Sequence, residues 1–149
     1  LVKRGDRLPV LQVRGLNTNT VGAVRKAMSI IENRKIEHKM KGLSYYRPWI
    51  ILLTDGNPNP CSQSELQSLL YDVSHSISEN KFMLTAIGIG NSVDKEFLSA
   101  ISNNNYHRIG QANISTFFQA LSASMTMKYG NDPQDNLSIE LDNELQDDI

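Results

Sequence analysis

Asp55 stands directly after the apolar run Trp49-Ile50-Ile51-Leu52-Leu53, with Thr54 before it and Gly56 behind it. A carboxylate at the end of a buried strand can bind a cation, work as an acid or base, or close an Asx turn on its own backbone. Thr18 stands at the entrance of a helix-periodic apolar stretch, where a hydroxyl serves equally as a helix cap or as an oxygen ligand. Together the two supply the hard oxygens that Mg²⁺ takes while keeping several waters. Two protein ligands make a weak site, and a competent one needs further oxygens. The remaining reactive residues are not spaced for catalysis. Cys61 is the single cysteine, no histidine spacing makes a triad with it, and it cannot close an internal disulfide, which favours a reducing compartment. His38, His75 and His107 fall on separate elements and do not form a zinc set. Gly88-Ile89-Gly90 matches half of a dinucleotide fingerprint, but the third glycine and the acid some twenty positions on are out of place.

The elements that must position Thr18 and Asp55 follow from apolar spacing. Leu8 to Val13 is a short stretch that Pro9 limits to an edge or a strand start. Asn17 and Thr18 cap a predicted helix on which Val21, Val24, Met28 and Ile31 recur at steps of three or four, and which frays near Gly42. Trp49 to Leu53, continuously apolar after Pro48, suits a strand buried on both faces. After the turn-rich Asp55-Gly56-Asn57-Pro58-Asn59-Pro60 comes a helix carrying Leu66, Leu69, Leu70, Val73 and Ile77. A strand from Phe82 to Ile89, a helix around Asp94 to Ile101, a strand at Tyr106 to Ile109 and a helix with Ile114, Phe117, Phe118, Leu121 and Met125 complete the series. Helix and strand alternate throughout, which predicts an α/β fold with a parallel sheet wound on both faces by helices. Ligands collect beyond the carboxyl ends of such strands. The loops Thr54 to Cys61, Gly88 to Asp94 and Ile109 to Asn113 should therefore share one rim, with the start of the first helix beside them.

The charge is partitioned. Fifteen Lys and Arg against sixteen Asp and Glu give a net charge of -1, but residues 130 to 149 hold seven of the acids and no base. The tail is thus -7, and the nine acids left in residues 1 to 129 leave that body at +6. Gly130-Asn131-Asp132-Pro133 stops the last helix, and the tail beyond reads as loose, although Leu137, Ile139 and Leu141 alternate as an edge strand would. The basic residues are spread along helical faces without interleaved aromatics, so a solvated surface is expected in place of a nucleic-acid site. No apolar run approaches the ~20 residues that span a bilayer, and no secretion signal opens the chain. Because it begins at Leu1, the chain is expected to lack some upstream sequence.

Asn17-Thr18, Ile31-Glu32-Asn33-Arg34-Lys35, Tyr45-Tyr46-Arg47-Pro48-Trp49, Leu53-Thr54-Asp55-Gly56 with Pro58, and Ala86-Ile87-Gly88-Ile89-Gly90 occur in an order that resembles a von Willebrand factor A domain. The Tyr-Arg-Pro-Trp segment before Thr-Asp-Gly is similar to the bacterial tellurite-resistance-type branch. The resemblance runs from about Leu8 to about Tyr129. It implies a doubly wound, Rossmann-like fold over residues 1 to 129 followed by the acidic tail, and a non-enzymatic protein-binding module of the cytoplasm. It also implies a metal-ion-dependent adhesion site in which Thr18 matches the second loop's threonine and Asp55 the third loop's aspartate. The family's first loop, Asp-x-Ser-x-Ser, has no counterpart in this chain, which is therefore expected to lack the family's first strands. Asn59-Pro60 replaces the branch's usual Thr-Asp, and Asn17 a common glycine. Mg²⁺ is the implied cofactor and an acidic group of a partner protein the implied ligand, in stress-response or phosphorylation-linked signalling. Without the first strand, the Trp49 strand would be an open apolar edge, inviting a complementary N-terminal segment or self-association. Two alternatives stand beside this reading: a metal-free assembly fragment, and a phosphoryl-transfer or hydrolytic enzyme using Asp55. The enzyme would lack a second catalytic carboxylate, a phosphate-cradling glycine loop and a placed lysine.

Overall fold

A computed structural model of the chain describes residues 19–55, 61–91, 93–110 and 113–128, the side chains of 124–128 excepted. The order is α1 (Thr20–Met40), β1 (Trp49–Thr54), α2 (Gln63–Ser78), β2 (Met83–Ile89), α3 (Lys95–Ser102), β3 (Tyr106–Ile109) and α4 (Ile114–Lys128). The strands form one parallel sheet in the order β1-β2-β3, with Trp49 opposite Met83 and Ala86 opposite Tyr106. The expected Leu8 strand, the caps Asn17 and Thr18, and the acidic tail lie outside the described residues. Among those described, no helix is long and apolar enough to cross a membrane.

Strand alternation sorts the apolar side chains into two cores. Ile50, Leu84 and Ala86 join Val24 of α1, Leu69 and Val73 of α2, and Phe97, Leu98 and Ile101 of α3. Ile87 and Ile109 meet Phe117 of α4 on the opposite face, with Trp49, Ile51 and Leu53 packed partly against them. The sheet grows in one direction from β1 to β3. Both crossover helices therefore lie on one face when each crossover has the same hand, and α4 crosses the other face.

Local chemistry fixes the helix ends. Asn19 caps α1, its Oδ1 accepting from the Gly22 N–H at 2.8 Å. Ser62 and Glu65 close a reciprocal capping box on α2, and Asp94 caps α3 by accepting from the Phe97 N–H at 3.0 Å. Gly42 ends α1 with φ +64°, its N–H bonding Lys39 O at 3.2 Å while the Leu43 N–H reaches back to His38 O at 2.9 Å. That pair of bonds is a Schellman turn, which a glycine in the left-handed region permits without strain.

β1 departs from the expectation of burial on both faces. β2 is buried at every position from Met83 to Gly88, whereas Trp49, Ile51, Leu52 and Leu53 are only half-buried. The physical reason is position: β2 is flanked by two strands, while β1 is an edge among the described residues, its Trp49 face reached only in part by α4. Polar cross-ties hold the amino end of the sheet. Thr85 Oγ1 accepts from Trp49 Nε1 at 2.9 Å and from Asn105 Nδ2 at 2.8 Å, so one buried hydroxyl ties β1 and β2 to the residue that leads into β3. Arg47 Nη2 donates to the carbonyls of Ile77 at 3.1 Å and Phe82 at 3.0 Å, tying the approach of β1 to the α2–β2 connection.

Candidate functional site

The rim at the carboxyl ends of the strands is built from three exits. Thr54 is buried, and Asp55, the next residue, is exposed. At the end of β2, Gly90 turns with φ +77° and its N–H bonds Ile109 O at 3.0 Å. At the end of β3, Arg108 Nη2 donates to Asn91 Oδ1 at 2.5 Å, joining two of the exits. The start of α1 belongs to the same rim. Arg25 of α1 pairs with Asp72 Oδ2 and Ser68 Oγ of α2, each at 3.0 Å. Further along, the Lys81 ammonium beyond the end of α2 is held above its ordinary pKa by Glu79 and, more weakly, by Glu32 of α1. From Arg25 to Glu32 along α1 the partners move from Ser68 and Asp72 to Lys81 beyond the end of α2, so α1 and α2 run in the same direction. α2 follows β1 and starts at the rim; Asn19 and Thr20 therefore lie at that end too.

Thr18, one residue before Asn19, lies outside the described residues. Asn19, not Asn17 or Thr18, caps α1. Glu65, in the first turn of α2, has its carboxyl pKa lowered first by the Ser62 hydroxyl and then by the Ser62 backbone N–H, so the capping box stays charged at neutral pH. No residue pattern pairs Arg108 with Asn91, since their contact depends on the β2–β3 register. A positive side chain close to a strand's end in a predicted parallel sheet was the available signal.

The other chemistry-bearing residues have structural roles. Gly88 sits in β2 where a Cβ would meet Val93 Cγ2 at 2.8 Å and Leu98 Cδ1 at 2.9 Å, so close helix–strand packing accounts for it. His38 lies edge-on to Tyr45, His75 stacks on Tyr71 at 6.0 Å, and His107 is half-buried in β3, its pKa lowered by desolvation. They sit on α1, α2 and β3, apart from one another as the sequence implies. Cys61 is half-buried and free.

Asp55 is the one oxygen ligand expected from the sequence that falls among the described residues. Among the described residues, no group of three or more His, Cys, Asp or Glu side chains could hold a metal ion. One exposed carboxylate and a backbone rim do not satisfy the six or more oxygens a hard cation takes. The described residues alone do not fit the ion.

A parallel sheet with helices on both faces defines a Rossmann-like α/β domain, a class in which ligands in general collect beyond the carboxyl ends of the strands. The family model of the von Willebrand factor type A domain matches residues 6–124, and the chain belongs to that family. Domains of this family are in general protein-interaction modules, typically without enzymatic activity. No curated protein matches the chain.

Proposed function

We propose that this domain is a non-enzymatic protein-binding module that engages its partner at the rim, with Thr18 and Asp55 as its own oxygen donors toward a divalent cation. The observation that carries the reading is placement: Asp55 is exposed immediately beyond a parallel strand, on the rim where α1 begins. A bound Mg²⁺ would supply a hard positive centre with water-filled positions, for which an acidic group of the partner is a natural ligand. Asp55 holds negative charge at that rim, and Thr18 adds a neutral hydroxyl. Further oxygens must come from outside the described residues. A cytoplasmic setting in bacterial stress response or phosphorylation-linked signalling accords with the tellurite-type motifs.

Magnesium titration followed by protein NMR tests this. Shifts confined to the surroundings of residues 18 and 55, lost in Asp55→Asn and Thr18→Ala, support the reading. A well-dispersed spectrum that does not respond to Mg²⁺ refutes it in favour of a metal-free assembly module. Turnover of a generic phosphate ester, lost with Asp55, would instead make the domain an enzyme.

The assembly reading has an observation of its own in the half-buried Trp49, Ile51 and Leu53 on β1, an edge among the described residues. It predicts concentration-dependent association in sedimentation, either with a second copy or with a complementary N-terminal segment. A monodisperse, cooperatively melting monomer would sink it.

A further inference from the structure

We propose that a groove at the C-terminal end of α1 is a docking surface for an acidic segment with alternating apolar residues, and that its occupant is the chain's own residues 130–149. The groove, about 380 Å³, lies between the last turns of α1 and the segment that leaves it, and is lined by Glu32, Lys35, Ile36, Lys39, Leu43 and Tyr45. It lies at the far end of α1 from the rim, and the inference does not depend on any cation there.

The groove is built by the helix ending itself. The Schellman turn at Gly42 folds Leu43 back over the helix, and His38 meets Tyr45 edge-on, ring centroids 5.8 Å apart at 84°. Its apolar residues are left uncovered by the described residues: Ile36 is 56% exposed, Leu43 54% and Tyr45 45%, with Met40 beside them at 82%. Apolar side chains this exposed and this close together mark an interaction surface more often than scattered ones do. The charge around them is positive. Lys35 is paired with Glu32 at 3.4 Å, but Lys39 and Lys41 have no ion pair among the described residues.

The acidic tail matches this surface in charge and in pattern. Residues 130–149 carry seven acids and no base, and Leu137, Ile139 and Leu141 alternate with Ser138, Glu140 and Asp142. Apolar alternation suits the Ile36, Leu43 and Tyr45 floor, and the carboxylates suit the lysines at its margin. Reach is not limiting. α4 follows β3 from the rim and so runs, like α1, toward the far end of the sheet, and from Lys128, the last described residue, eleven further residues to Ile139 span up to roughly 36 Å. A tethered segment also sees its site at an effective concentration in the millimolar range, so weak contacts suffice to hold it. Docked there, the tail covers an apolar surface and withholds it from acidic segments of other proteins.

The test uses the full chain, with Cys61→Ser and a nitroxide on Asn136→Cys. Selective loss of amide signal at Ile36, Lys39, Leu43 and Tyr45 is expected, relieved by high salt and by Lys39→Glu with Lys41→Glu. Loss spread evenly over the surface, or none, overturns the proposal. Loss seen only when spin-labelled chains are mixed with isotope-labelled ones overturns docking within one molecule. The same spectra show directly whether each variant is folded.

Discussion

Thr85→Val removes one hydroxyl and nearly nothing else, and its cost follows from the two side chains that hydroxyl ties to β2. Thr85 is 2% exposed, and its Oγ1 accepts from Trp49 Nε1 and Asn105 Nδ2. Asn105 Nδ2 keeps a weaker bond to Leu84 O at 3.3 Å, whereas the Trp49 indole loses the acceptor it has in β2. Two bonds at about 1 kcal/mol each, with part of the desolvation of the indole N–H left uncompensated, put the loss at about 2 kcal/mol. Thr85→Ser is the matched control: it keeps both bonds and deletes a buried methyl, at about 0.8 kcal/mol. In urea, with a slope near 2 kcal/mol/M, valine should lower the midpoint by roughly 1 M, and serine by less than half of that. Because Trp49 is the single tryptophan, its emission reports the same site. A double-mutant cycle with Trp49→Phe, read by circular dichroism, should show coupling above about 0.5 kcal/mol. Additive behaviour, or a valine variant as stable as the serine one, would refute the hydroxyl's role as the common tie.

Two further outcomes follow from packing and burial. Gly88→Ala forces a Cβ against Val93 and Leu98 at contacts under 3.0 Å, which should cost about 1–3 kcal/mol and lower Tm by several degrees; an unchanged melt would mean that α3 yields freely. His107 has its folded pKa depressed by burial, so the unfolded state binds more protons below its ordinary value of about 6.5. Stability should therefore be full above that pH, fall as pH drops through the folded pKa, and level off below it. His107→Gln should flatten this part of the urea-midpoint profile, and an unaltered slope would assign the dependence to other groups.

The element order and β3's bounds could be read from Tyr106 to Ile109 and its neighbours because local apolar period decides helix against strand. Asp55 is legible because an acid and a turn-rich loop close a continuously apolar strand, which marks the strand's exit at the rim. The sequence could not show that β1 is half-buried, since Trp49-Ile50-Ile51-Leu52-Leu53 is as apolar as a central strand and only the pairing partners distinguish the two. Nor could it reveal the Thr85, Trp49 and Asn105 contact, or Arg47 reaching Ile77 and Phe82, because these pairs are 20 to 36 residues apart. The groove at the end of α1 had one local sign, Gly42, which announces a helix end but not what the returning chain will leave uncovered.

Gly22 and Asn19 bind the start of α1 into a pair that single substitutions cannot alter cleanly. A Cβ at Gly22 would come within 2.8 Å of the Asn19 side-chain amide, the same group whose oxygen caps the Gly22 N–H. Any larger residue at 22 must displace the cap. Asn19→Ala removes the cap and leaves the Gly22 N–H without it, at a cost of about 1 kcal/mol. Gly22→Ala alone therefore exchanges the cap for helix propensity, two opposing effects of about 1 kcal/mol each, so a near-neutral melt there would hide a helix start that has been rebuilt on the rim Asp55 shares.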